Sequence, residues 1–196
     1  MKKQDFKVLK TKDLYPFPDN PFHVAEDETL SELAESIKEF GIVTPIITRP
    51  KEDGDGYEVI AGQRRVRASE LAGINTIPAF VLSLDRDRAI ITLVDSNLQR
   101  ENILPSERAF AYKMKSEAMK RQGFRTDLTS SQVVTKLRTD DKVAQGFGVG
   151  RMTVQRFIRL TELIPPILQM VDEGKIALTP AVELSFLKKD EIGRAS

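Results

Sequence analysis

Tyr57-Glu58-Val59-Ile60-Ala61-Gly62-Gln63-Arg64-Arg65-Val66-Arg67-Ala68 is the stretch whose reading decides the fold. A short apolar run, a glycine and then a series of helix formers place a strand, a turn and a helix end to end, the helix running to Ala72 and stopping at Gly73. Such a junction has the parts of a phosphate cradle. A glycine lets backbone approach an anion closely, helix N-terminal N–H groups point at it, and arginine forks bind phosphate oxygens two at a time. Helical spacing puts Arg64 on one stripe with Ala68, Leu71 and Ala72, so Arg64 is expected to point inward with Arg67 one turn along beside it. The alternative is that these arginines pair with Glu58, Glu70 or other surface acids.

Outward from this junction, Pro45 to Arg49 is a predicted strand, and the turn Asp53-Gly54-Asp55-Gly56 joins it to Tyr57 to Ala61 as a hairpin. Thr29-Leu30-Ser31-Glu32 reads as a capping box ahead of a helix carrying Leu30, Leu33, Ala34, Ile37 and Phe40, ended by Gly41. Phe6 to Leu14 mixes apolar and lysine residues, and Pro16, Pro18 and Pro21 make residues 15–22 an extended loop. Thr76 to Leu82 is a further strand, whose Pro78 belongs near its start or on an edge. After Asp85 the strand signals vanish. Helices are predicted over Arg86–Leu98, Pro105 to about Gln122, Asp140–Phe147, Arg151–Leu163, Pro166–Glu173 and Pro180–Leu187, with a second capping box at Thr129-Ser130-Ser131-Gln132. The fold class is therefore α+β: a small mixed α/β domain over residues 1–95, a hinge over 96–104 and an all-helical domain over 105–190.

The 196 residues include no cysteine, which excludes a disulfide scaffold, a thiolate zinc site and a thiol nucleophile. His23 is the single histidine, so a transition-metal site has no second imidazole or thiolate to complete it. No apolar run approaches the roughly 18 residues of a membrane span, and no secretory signal follows the N-terminus. The net charge of +1 argues against a nucleic-acid binder only until it is divided. Residues 1–101 carry 14 basic and 18 acidic side chains, whereas residues 102–196 carry 16 and 11. Within residues 105–160 the count is 12 against 5, the footprint of a segment that lies near phosphates.

Two more clusters carry chemistry. Asp95-Ser96-Asn97-Leu98-Gln99-Arg100-Glu101-Asn102 is dense in donors and oxygen ligands between two helices, and such a hinge can bring Asn97 and Arg100 to one ligand; the alternative is a solvated connector. Residues 141–160 read as helix, glycine-rich turn and helix, the helix-turn-helix pattern, with an ordinary helical hairpin as the alternative. In its second helix Val154, Phe157 and Ile158 form the expected buried stripe. Met152, Gln155, Arg156 and Arg159 are left outward, with Arg151 and Thr153 at the end where base edges or phosphates are met.

Taken in order, Asn20-Pro21, Leu30 to Ile46, Ile60 to Ala68, Asn97 to Glu107 and the helix-turn-helix make the chain resemble the ParB/RepB family of chromosome- and plasmid-partition proteins. The resemblance implies a ParB/sulfiredoxin-like N-terminal domain that binds CTP with Mg²⁺, and a helical domain that binds a centromere-like double-stranded DNA site. It implies self-association of two N-domains on nucleotide binding, closing a clamp that slides on DNA, a partition ATPase as partner, and a cytoplasmic, nucleoid-associated location. Carried onto this chain, Gly62, Arg64, Arg65 and Arg67 hold the triphosphate, Gln63 is a further nucleotide-binding residue, Asn97 lies near the metal and Arg100 near a phosphate. The Asn20 to His23 loop sits by the nucleobase, and Arg151, Thr153, Gln155, Arg156 and Arg159 face DNA.

This chain departs from the family pattern at several positions. Gln63 and Ser96 stand where the family carries glutamate, Thr44 replaces a common glutamine, and Phe22-His23 replaces Pro-Arg, so a clamp with weak or absent CTP hydrolysis is expected. No zipper-like repeat follows Leu187, and the chain is expected to lack the family's C-terminal dimerisation domain. Two other classes compete: a helix-turn-helix transcription regulator with a non-catalytic N-domain, and a small-molecule kinase on the same fold. Sulfiredoxin-type chemistry needs a cysteine that this chain does not have.

Overall fold

A computed structural model describes residues 4–98, 100, 102–127 and 139–187. Its backbone divides into two units, Met1–Asn97 and Leu98–Ser196.

The first unit is built on a five-stranded sheet. Its elements are β1 (Gln4–Lys10), β2 (Leu14–Pro16), α1 (Glu28–Phe40), β3 (Ile46–Pro50), β4 (Tyr57–Ala61), α2 (Gln63–Leu71), β5 (Thr76–Leu82) and α3 (Arg86–Asn97), with strand order β1-β5-β3-β4-β2. The expected hairpin is present as the antiparallel pair β3–β4, with a register irregularity between Ile47 and Thr48. β5 alternates as a half-buried strand should, burying Ile77, Ala79 and Val81 with Leu9, Ile46 and Val59. Pro78 sits near the start of β5, and pairing to β3 begins one residue later at Ala79. A second core cluster forms where α1 meets α2, from Leu30, Ala34, Ile37 and Ala68.

Local chemistry corrects two expectations in this unit. The cap of α1 is Asp27, not Thr29: the Asp27 carboxylate accepts from the Leu30 N–H at 2.9 Å, and Thr29 lies inside the first turn with its hydroxyl donating to Asp27 at 2.7 Å. The proline-rich segment is not wholly loop. Leu14–Pro16 pairs in parallel with β4 at the sheet edge, where a residue without an N–H is tolerated.

The second unit is helical: α4 (Pro105–Asp127), α5 (Thr139–Gly146), α6 (Arg151–Leu160), α7 (Pro165–Asp172) and α8 (Leu178–Leu184). Its core joins Ala109 of α4 to Leu160, Leu163, Val171, Ala181 and Val182, and a second cluster packs Tyr112 against Val143, Ala144 and Val154. α6 stops three residues before its expected end at Leu163. Ile164 precedes Pro165 and adopts extended backbone with ψ 149°, as a residue before proline favours. The capping box expected at residues 129–132 lies outside the described residues. No helix among the described residues is long and apolar enough to cross a membrane.

Candidate functional site

Gly62 is the hinge of the strand-to-helix junction. It caps α2 with φ 102° and ψ 24°, a left-handed conformation that L side chains rarely adopt, and its carbonyl accepts the N–H groups of Arg65 and Val66. A Cβ here would lie 2.7 Å from Ile46 Cγ2 and 3.1 Å from a guanidinium nitrogen of Arg65. The backbone at the start of α2 is thereby kept bare, and the N–H groups of Gln63 and Arg64, ahead of the two that bond Gly62, have no partner within the helix.

The three arginines of α2 hold different partners. Arg64 bonds both carboxylate oxygens of Asp27, the nearer at 3.1 Å, and the Thr29 hydroxyl. Hydrogen bonding from Arg64, then from Thr29, holds the Asp27 carboxyl down at about 2. Arg67 lies between Glu26 and Glu70, whose hydrogen bonds push its pKa up. Arg65 meets no acid among the described residues: its guanidinium donates to the Thr44 and Pro45 carbonyls, and burial pulls its pKa down. The expectation that Arg64 points inward is therefore shifted by one residue. Leu71, used to set the stripe, is 48% exposed, whereas Ala68 and Ser69 are fully buried, so Arg65 continues the buried side of α2. Of the alternative acid partners, Glu70 and other surface acids are used, but Glu58 is taken by Arg49.

Beside this cradle lies a cavity of about 370 Å³ lined by Pro16, Phe17, Asn20, Phe22, His23 and Gln63. Asn20 ties the loop to the helix start, donating to Gln63 Oε1 at 2.8 Å and to the Phe22 carbonyl while accepting from the Phe22 N–H. Gln63 also reaches back to the Val59 carbonyl. Beneath the loop, the buried Arg49 guanidinium stacks 5.2 Å from the Phe17 ring and pairs with Glu58 and Glu52, each at 2.7 Å. Burial works against its charge, but the two carboxylates outweigh that and raise its pKa. Arg49 is not among the candidate residues of the sequence. The available signal was Arg49 opposite Glu58 across the predicted hairpin, which is their observed register.

At the end of α3, the Asn97 amide donates to the Leu93 carbonyl at 2.9 Å and to Ser96 Oγ, and Ser96 donates to the same carbonyl. Both Asn97 contacts use nitrogen and leave its oxygen as a hard ligand, and no cluster of three metal-binding side chains occurs among the described residues. That donor set fits Mg²⁺ only as an ion carried mainly by phosphate and water oxygens. Arg100 belongs to the second unit, and Gln99 and Glu101 lie outside the described residues.

In the second unit, α5, the turn at residues 147–150 and α6 form the helix-turn-helix, with Val154 buried and Met152 63% exposed. Arg151 lies 3.9 Å from Asp141, and Gln155 donates to Asp140 at 3.2 Å. The backbone N–H of Thr153 donates to the Gly150 carbonyl, and Arg156 donates to the Thr179 hydroxyl. Arg159 does not point outward as expected. Its guanidinium bonds the Ser185 hydroxyl and carbonyl at 3.0 and 2.6 Å and stacks on Phe186, fastening α6 to the end of α8.

Comparison with known proteins places this geometry. The chain is 40% identical over 162 residues to a probable chromosome 1-partitioning protein ParB of Deinococcus radiodurans, covering 82% of this chain and 49% of that protein. It is 36% identical to the chromosome-partitioning protein Spo0J of Thermus thermophilus, over 90% of this chain and 58% of that one. The chain thus spans about half the length of the relatives it matches. Among solved structures, the C-terminally truncated ParB of Caulobacter crescentus complexed to the centromeric parS site aligns over 97% of this chain and 93% of that one, at 25% identity and a TM-score of 0.59. Residues 1–98 match the ParB N-terminal domain, and the chain belongs to that family.

Proposed function

We propose that this chain is the nucleotide- and DNA-binding part of a partition protein, acting as a CTP-dependent clamp on a centromere-like DNA site. The observation that carries this reading is the bare left-handed cap at Gly62 leading into a helix whose first turns present Arg64, Arg65 and Arg67. The relatives are named as chromosome-partitioning proteins, and the Caulobacter relative was solved on parS DNA. Gly62, Arg64, Arg65 and Arg67 hold the triphosphate through backbone N–H groups and guanidinium forks. Gln63, with Asn20 and His23, borders the base, Asn97 offers its oxygen to Mg²⁺, and Arg100 meets a phosphate. Mg²⁺ supplies charge neutralisation between phosphate oxygens when bound.

On the DNA side, Arg151, Thr153, Gln155 and Arg156 take the duplex from the N-terminal turns of α6, and Arg159 positions α8 behind them. Nucleotide binding promotes association of two N-terminal units, and a partition ATPase acts on the assembled clamp at the nucleoid. Hydrolysis is weak or absent, because Gln63 and Ser96 are neutral and both are engaged with neighbouring protein groups. The test is calorimetric titration with each of the four ribonucleoside triphosphates, with and without a parS duplex, alongside phosphate release. CTP alone should bind, more tightly with DNA, with little phosphate released. Rapid phosphate release refutes the hydrolysis claim, binding of no nucleotide favours the regulator, and phosphate transfer to a small molecule favours the kinase.

A further inference from the structure

Two of the three cradle arginines face three acids: Asp27 on Arg64, and Glu26 and Glu70 on Arg67. The three arginine cations of the proposed anion pocket are therefore matched by three carboxylates. Glu26 and Asp27 come from the turn that opens α1, some 40 residues earlier in sequence, and they occupy the fork positions a phosphate would need. Arg67 gives Nε and one Nη to Glu26 and its other Nη to Glu70, and Arg64 gives both Nη atoms to Asp27. Among the described residues Arg65 bonds carbonyls alone and is the one cradle cation without a counter-charge.

We propose that Glu26 and Asp27 are intramolecular competitors of the polyphosphate: they hold Arg67 and Arg64 in the empty site, set its affinity, and are released when the anion enters. This rests on the polyphosphate reading of the α2 cradle given above. The pairs are exposed enough to exchange. Side-chain exposures run from 26% for Arg64 to 66% for Glu26, the range in which an ion pair changes a competing equilibrium by about two- to fivefold. Asp27 can release Arg64 without unravelling α1, because its carboxylate also accepts from the Leu30 N–H as the helix cap. Arg65 supplies the first attraction, and Arg64 and Arg67 then change partners from carboxylate to phosphate. Removing an acid should therefore tighten binding, the reverse of what a supporting residue would do.

The test compares the full chain with its E26Q, D27N and E28Q variants, titrated calorimetrically with CTP and, separately, with inorganic tripolyphosphate. Asparagine is as good a cap as aspartate, so D27N keeps α1, which circular dichroism checks. Glu28 is exposed and makes no ion pair among the described residues, so E28Q measures the loss of one nearby charge alone. E26Q and D27N should each bind about two- to fivefold more tightly than the unsubstituted chain and more tightly than E28Q. Either variant matching E28Q, or binding more weakly, overturns the proposal. Tightening with tripolyphosphate while CTP fails to bind supports the competition and removes the cytidine reading. Absence of binding by every variant to both ligands removes both.

Discussion

Replacing Gly62 by alanine tests the junction on which the cradle depends. At φ 102° an L side chain meets its own backbone, a cost of about 1–2 kcal/mol for a left-handed residue. The new Cβ also lands 2.7 Å from Ile46 Cγ2. Ile46 is fully buried against Val59 and Ala79, so it cannot yield without disturbing the sheet, and overpacking of this kind adds about 1–3 kcal/mol. Together these predict that Gly62→Ala destabilises the first unit by about 2–5 kcal/mol. Because the chain has two units, a single melting curve would mix them. Native-state amide exchange on the full chain reads β4 and α2 separately from α4 and α6. Protection in the first pair should fall by the stated amount while the second pair is unchanged. A double-mutant cycle separates the causes: in an Ile46→Ala background the Gly62→Ala cost should shrink toward the backbone part alone. A loss below about 0.5 kcal/mol, or strict additivity with Ile46→Ala, would refute the steric account.

Arg49→Met leaves Glu58 buried without its main cation and should cost about 3–5 kcal/mol, read by exchange in β3 and β4; adding Glu58→Leu should recover most of it. The Asp27 carboxyl, held at about 2 by Arg64 and Thr29, favours the folded state while it is ionised. Its contribution is therefore complete above the ordinary carboxylate value of 3.8 and is lost as pH falls from there to about 2. NMR titration should show the opening turn of α1 loosening across that window, with no such step in Asp27→Asn. In the second unit, Arg159→Ala should lower stability by about 1–3 kcal/mol through its lost bonds to Ser185. Arg156→Ala should leave stability within about 0.5 kcal/mol and weaken binding to all duplexes, reducing the salt slope by about one.

The elements legible in the sequence were those whose signals are local. The hairpin β3–β4, the glycine after it and the start of α2 lie within 20 residues, and turn chemistry and spacing define them without reference to the rest of the fold. The parallel pairing of Leu14–Pro16 with β4 and the antiparallel pairing of β1 with β5 join segments far apart in sequence, so no local pattern carries them. The one-residue error on Arg64 has a similar origin. Leu71 marks an apolar stripe only if α2 is buried along its whole length, and the last two residues of α2, Glu70 and Leu71, are exposed. Arg159 departs from its expected outward position for the same kind of reason. A charged residue opposite Val154 belongs outside only if nothing packs there, and α8 does.

The acidic balance of the first half looks unsuited to binding an anion, yet the structure shows where the acids stand. Glu58 and Glu52 are consumed by Arg49 under the loop, and Glu26, Asp27 and Glu70 stand on the cradle arginines themselves. The field at the start of α2 is then set by the groups left over: the Arg65 guanidinium and the first-turn N–H groups beyond Gly62. Both are fixed by backbone, the guanidinium through the Thr44 and Pro45 carbonyls and the N–H groups by the helix. A site arranged in this way need not stand open as an unpaired cluster of cations, which would repel itself and bind any anion. On the proposed reading it presents one partly buried charge in place and keeps two more in reserve behind carboxylates. Net charge per domain therefore describes the storage of these cations, and the geometry around Gly62 describes their use.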